Sequence, residues 1–193
     1  MLAKTEKLSE LASKNHRNSK ERNVTSGLLG RIKLGLGRLS ITHISVLFLL
    51  VSFDLVVKAS LEARLEEWQG SVFVFPGFNL TLGHNRGVSF GVLDSAHWLA
   101  PYLLSSVAVV LVVAVLIWTA RQKSKLVNAA GILFASGGLA NAIDRLGDGA
   151  VTDYLDFGWK ALRWPTFNLA DVFIFLGVAL LFLSWRKQSL SQT

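Results

Sequence analysis

Apolar residues run through this chain in four long blocks, each close to the roughly 20 residues a helix needs to cross a hydrocarbon layer. They cover residues 39–60, 97–120, 125–146 and 167–185. The second block holds the least interrupted run, SSVAVVLVVAVLIW, and the third is broken by Gly131, Gly137 and Gly138 and ends in Asp144-Arg145. Small residues in such a span let a neighbouring helix come close. Between the first two blocks the pattern changes to alternation, at 72–75 and 80–82, with turns at Pro76-Gly77 and Gly83. That pattern predicts short strands. In the last connection, residues 153–162 predict one short amphipathic helix. The expected fold class is therefore an all-α polytopic membrane protein: four transmembrane helices, a small β-sheet in the first outer loop and a short helix in the second.

Composition agrees with a membrane domain. Hydrophobic residues make up 51% of the chain and charged residues 17%, whereas a soluble domain carries nearer a quarter charged. The absence of Cys excludes disulfides, thiol catalysis and thiolate metal sites. The net charge of +7 raises nucleic acid as a partner. Much of the excess, however, lies in residues 1–38, where no aromatic side chains interleave with the basic ones as single-strand binding favours. Residues 1–38 read as a basic, disordered cytoplasmic tail ahead of a membrane domain at 39–193, and residues 28–39 have an alternative reading as an interfacial segment. A secretory leader is not expected, because the charged region is too long and the next span carries Asp54 and Lys58. The tail, the turn with Arg121, Lys123 and Lys125, and Arg186-Lys187 put both termini in the cytoplasm. The outer loops, 61–96 and 147–166, then carry Glu62, Glu66, Glu67, Asp94, Asp148, Asp153 and Asp156.

Ionisable residues inside a span are costly and mark function by default. Asp144 lies about 19 residues into the third block, near its outer end, and Asp171 lies about one turn inside the start of the fourth. Asp54 and Lys58 share one helix face in the outer half of the first. Two carboxylates held close cannot both ionise cheaply, so one keeps a proton beside a carboxylate base. Such a pair activates water against an amide carbonyl and protonates the leaving nitrogen. Asn141 and Asn168 stand where they could orient the two acids, and Arg145 suits holding the loop or a lipid headgroup. Plainer readings compete. Asp54–Lys58 suits a structural ion pair, and Asp148, Asp153 and Asp156 suit solvated loop charges. His16, His43, His84 and His97 show no metal-ligand spacing. Ser60 points away from Lys58 at i,i+2, which argues against a Ser–Lys dyad. A proton relay for transport would spread its charges through the membrane depth, whereas these gather near one surface.

Four blocks carry a family resemblance, in order: Asp54-Leu-Val-Val-Lys58, Asn85-Arg-Gly-Val-Ser-Phe-Gly91, Gly137-Gly-Leu-Ala-Asn-Ala-Ile-Asp-Arg145 and Phe167-Asn-Leu-Ala-Asp171, the last preceded by Val151-x-Asp153 and Trp164-Pro165. Over residues 40–187 the chain resembles the signal peptidase II family (aspartyl peptidase family A8), bacterial membrane enzymes that remove signal peptides from prolipoproteins. The resemblance implies a catalytic pair of Asp144 and Asp171, with Asp54, Lys58, Asn85, Gly87, Asn141, Arg145, Asn168 and Ala170 lining or supporting the site. It implies cleavage just before a diacylglyceryl-modified Cys, a site on the outer face of the inner membrane, no cofactor or metal, membrane lipid and prolipoprotein as partners, and a monomer. Val57 departs from the family's usual Thr or Ser, Tyr154 from its Phe and Thr152 from its Val. A non-catalytic lipoprotein-binding paralogue and a proton-coupled transporter subunit are the competing functions.

Overall fold

The computed structural model describes residues 40–87, 98–160 and 162–190. The expected tail at 1–38, His97 and residues 88–91 of the second motif lie outside them. Four helices are long and apolar enough to cross a membrane: α1 (Ile41–Glu67), α2 (Ala100–Ala120), α3 (Lys125–Asp148) and α4 (Leu169–Leu190). Pro101 sits in the first turn of α2, where a missing N–H costs nothing. The Ser124 hydroxyl accepts from the Val127 N–H at the start of α3, and Gly149, at φ 88°, closes its end in the left-handed conformation. α1 runs past the expected limit at residue 60 and carries Glu62 out to His84.

The helix with most small residues is the central one. α3 packs against α1, α2 and α4, and 56% of its most apolar stretch is buried, against 17–22% in the other three helices. Ala130, Gly131, Ala135, Ser136, Gly137, Ala140 and Ala142 form its buried face. A Cβ on Gly137 would strike the Ala170 carbonyl of α4, and one on Gly177 would come within 2.7 Å of the Phe134 backbone nitrogen of α3. Between apolar helices in lipid there is little hydrophobic driving force, so close packing of this kind holds them together. The remaining faces of α1 and α4 expose residues such as Phe48 and Phe175, as lipid-facing surfaces do.

The α1–α2 and α3–α4 connections both contribute to one antiparallel sheet in the order β1 (Ser71–Phe75), β2 (Phe78–Asn85), β3 (Val151–Trp159), β4 (Leu162–Arg163). The first two strands fall where alternation predicts them. The third corrects the expected helix at 153–162. Pairing with β2 sets its register: Asn85 opposite Val151, Gly83 opposite Asp153, Leu80 opposite Leu155 and Phe78 opposite Phe157. Val151, Thr152, Asp153 and Tyr154 are all buried, so both faces of this strand are covered. Asp156, expected as a solvated charge, is buried as well. It accepts from Thr81 Oγ1 at 2.8 Å and Arg163 Nε at 2.7 Å, staples three strands together, and is held below the usual carboxylate range by the Arg163 bond. The rings of Phe75, Phe78, Phe157 and Phe167 follow one another at centroid distances of 5.2, 4.5 and 5.8 Å, and lead to the start of α4.

Candidate active site

One face of α1 supplies Asp54 and Lys58, both buried. The Lys58 ammonium lies 2.7 Å from Asn141 Oδ1, 3.0 Å from Asp54 Oδ2 and 3.1 Å from Asp144 Oδ2. The contact with Asn141 is a hydrogen bond, and those with the two carboxylates are ion pairs. The second oxygen of Asp54 accepts from the Ala170 N–H at 2.8 Å. Asp144 accepts in addition from the Thr152 N–H at 2.8 Å. Burying these charges is tolerable because they are mutually paired.

The start of α4 builds the other half. Asn168 and Asp171 form a reciprocal capping box: the Asp171 N–H donates to Asn168 Oδ1 at 3.0 Å, and the Asn168 N–H donates to Asp171 Oδ2 at 3.2 Å. Asp171 thereby lies in the first turn, at the positive end of the helix dipole. Its Oδ1 accepts from Asn141 Nδ2 at 2.8 Å. The Asn168 amide, wholly buried, donates to Asp153 Oδ1 at 2.8 Å and lies within 3.3 Å of the Thr152 carbonyl. The Tyr154 hydroxyl accepts from the Leu169 N–H at 3.2 Å, and burial pushes that phenol above its ordinary range.

Asp153 is the residue that sequence reasoning missed. It is 4% exposed rather than solvated. Its Oδ2 accepts from Asn85 Nδ2 at 3.3 Å, and Asn85 Oδ1 in turn accepts from the Gly87 N–H at 3.3 Å. Burial first, and the negative charge of Asp171 second, push its carboxyl up to about 6. The available signal was the Val151-x-Asp153 block that accompanies the family motifs.

The expected residues thus gather in one place. Asp54, Lys58, Asn141, Asp144, Asn168, Ala170 and Asp171 join in a single hydrogen-bonded network, Asn85 enters through Asp153, and Gly87 stands one bond further out. Arg145 is half-buried and feels the charges of Asp153, Asp144 and Asp171. Beside Asp171 opens an apolar cavity of about 360 Å³, lined by Trp164, Phe167, Asp171, Val172 and Phe175. Among the described residues, donors that could hold a metal converge at Glu62, His84 and Asp148. There His84 Nε2 already sits 2.7 Å from Glu62 Oε1, and a His–carboxylate pair accounts for the contact.

Four helices long and apolar enough to cross a membrane, around a buried carboxylate network at one end of the bundle, define the class of polytopic membrane proteins with an acidic site. Residues 46–186 match the model of a family described as signal peptidase (SPase) II. A lipoprotein signal peptidase of Shewanella amazonensis is 40% identical over 123 residues, which are 63% of this chain and 73% of that one. One of Rhodopseudomonas palustris is 36% identical over 151 residues, or 76% and 85% of the two chains. Among solved structures, one described as a bacterial membrane enzyme at 1.9 Å by the in meso method superposes with a TM-score of 0.63 at 26% identity, covering 75% of this chain and 92% of that one. The chain belongs to the signal peptidase II family, and is a multi-pass bacterial membrane peptidase.

Proposed function

We propose that this peptidase cuts prolipoproteins just before a diacylglyceryl-modified Cys, by aspartyl chemistry in which Asp171 is the base and Asp153 the acid. Removal of lipoprotein signal peptides is the reaction of the family; the residues, the bond and the membrane side are the added reading. One observation carries the choice of acids. Asn168 ties Asp153 and Asp171 into one unit, while Lys58 and the Thr152 N–H both bind Oδ2 of Asp144. The pair expected from sequence, Asp144 with Asp171, gives way to Asp153 with Asp171. Asp144 becomes the residue that holds Lys58 and the start of β3.

The environments of the two acids differ in the way acid–base catalysis needs. Asp171 sits at a helix N-terminus, which favours negative charge, and Asp153 binds its proton up to about pH 6. A water between them gives its proton to Asp171 and attacks the scissile carbonyl, and Asp153 protonates the departing nitrogen. An apolar substrate that displaces water from the site strengthens both effects. The cavity beside Asp171 is bounded by rings and aliphatic groups, suited to the diacylglyceryl chains next to the cut. In this reading both termini are cytoplasmic, the sheet and site face the outer side of the inner membrane, and the monomer works without a cofactor or metal.

The test is cleavage of a diacylglyceryl-modified prolipoprotein peptide by purified wild type, Asp153→Asn, Asp171→Asn and Asp144→Asn. Loss in the first two variants and retained turnover in the third is the expected result. Turnover by Asp153→Asn with none by Asp144→Asn would restore the other pairing.

A further inference from the structure

The chemistry above leaves one cation without a task. Arg145 lies four residues beyond Asn141 on α3, so it stands one turn further along the same helix face, and Asn141 is the residue whose amide holds Asp171. The Arg145 Nε is buried and has no hydrogen-bond partner. Among the described residues the guanidinium closes on no carboxylate. It nevertheless feels the charge of Asp153 most, then Asp144, then Asp171.

A guanidinium serving only as counter-ion prefers a two-pronged grip on one carboxylate. Arg163 behaves that way in this protein, with Nε 2.7 Å from Asp156 Oδ1 and a terminal nitrogen 2.7 Å from Oδ2. Lys58, the other cation of the site, hydrogen-bonds Asn141 and ion-pairs with Asp54 and Asp144. Arg145 alone of these three combines unspent donors with a position beside both acids.

We propose that Arg145 is a catalytic residue, donating to the scissile carbonyl oxygen and holding the negative charge that develops there. The inference rests on the reading of Asp153 and Asp171 above. As the water oxygen bonds to the carbonyl carbon, its proton passes to Asp171 and the carbonyl π pair moves onto oxygen, where the Arg145 N–H groups meet it. On collapse that pair re-forms the C=O bond, the C–N bond breaks, and the nitrogen takes its proton from Asp153. Donors aimed at such an oxygen are the largest single contribution in many acyl-transfer enzymes.

The experiment compares wild type, R145A and R145K on the diacylglyceryl-modified peptide, reading kcat, KM and the melting temperature, with methylguanidinium added to R145A. For R145A we expect kcat to fall by about 10²–10³-fold with KM little changed, and methylguanidinium to restore part of it. R145K keeps a charge but not the planar fork. It should lose at least about tenfold in kcat at an unchanged melting temperature, and it is the decisive variant if R145A does not fold. A loss confined to KM, a kcat within about tenfold of wild type in R145A, or a loss that methylguanidinium leaves untouched overturns the role. Wild type that leaves the peptide intact overturns the underlying reading, whereas normal cleavage by both arginine variants overturns this inference alone.

Discussion

The site holds two sets of carboxylates that differ in what surrounds them. Asp54 and Asp144 share a buried ammonium and a backbone N–H each. Asp153 and Asp171 close no ion pair among the described residues; their bonds come from the side-chain amides of Asn85, Asn141 and Asn168 and from the Asn168 N–H. The first set is ion-paired and locked, and its contacts join α1, α3, β3 and α4. The second is held by amide and backbone donors alone. Counting acids in a membrane cleft therefore says little about chemistry. The partners of each acid say which one can work.

The comparison breaks first at the working pair. Asp171→Asn and Asp153→Asn should each lower kcat on the order of 10²–10⁴-fold, while circular dichroism and melting show a folded protein, since an amide oxygen can still accept the Asn168 bonds. Next comes the locked set. Lys58→Ala leaves Asp54 and Asp144 without their cation, and an uncompensated buried charge of this kind typically costs about 3–5 kcal/mol. The protein should melt or denature far earlier in detergent, and adding Asp54→Asn should recover part of the loss. If Lys58→Ala were as stable as wild type, the locking role would be wrong.

Asp144→Asn should be milder for activity than either member of the pair, by about tenfold or more. The amide oxygen still accepts from Thr152, and Lys58 still has Asp54. The smallest effect lies in pH. Asp153 titrates at about 6 when folded, against its ordinary 3.8. The folded protein thus holds a proton that the unfolded chain has released, and stability declines as pH rises from about 4 to 6 and levels off above. Asp153→Asn should flatten that decline in a melting series. For the same reason kcat/KM of wild type should fall above about pH 6 as the acid loses its proton.

The spans were legible because hydropathy over some 20 residues is a strong signal, and all four helices overlap the predicted blocks. The hairpin of β1 and β2 was legible from alternation and Pro76-Gly77. The third strand was not. Residues 151–154 are buried on both faces, and a strand with buried polar residues such as Thr152 and Asp153 lacks the apolar-in, polar-out contrast that marks a half-buried one. That error hid Asp153. Depth along a helix gives one coordinate, and it put Asp144 and Asp171 at the same level. Which acids face each other is decided laterally by the β2–β3 register and the rotation of α3, and neither is written in a hydropathy profile. The motif blocks named every other member of the network, and Val151-x-Asp153 stood among them without a role.

At Gly137, α3 and α4 meet peptide group against side-chain-free backbone. No rotamer change can loosen such a joint, so the span from Asn141 on one helix to Asp171 on the other is set by main chain. Helices with large exposed faces feel each fluctuation in acyl-chain order and lateral pressure. The α3–α4 joint transmits little of that to the acids it carries. On the proposed reading, in which the substrate arrives anchored in a bilayer, the surrounding solvent can be soft while Asn141 and Asp171 keep a fixed spacing.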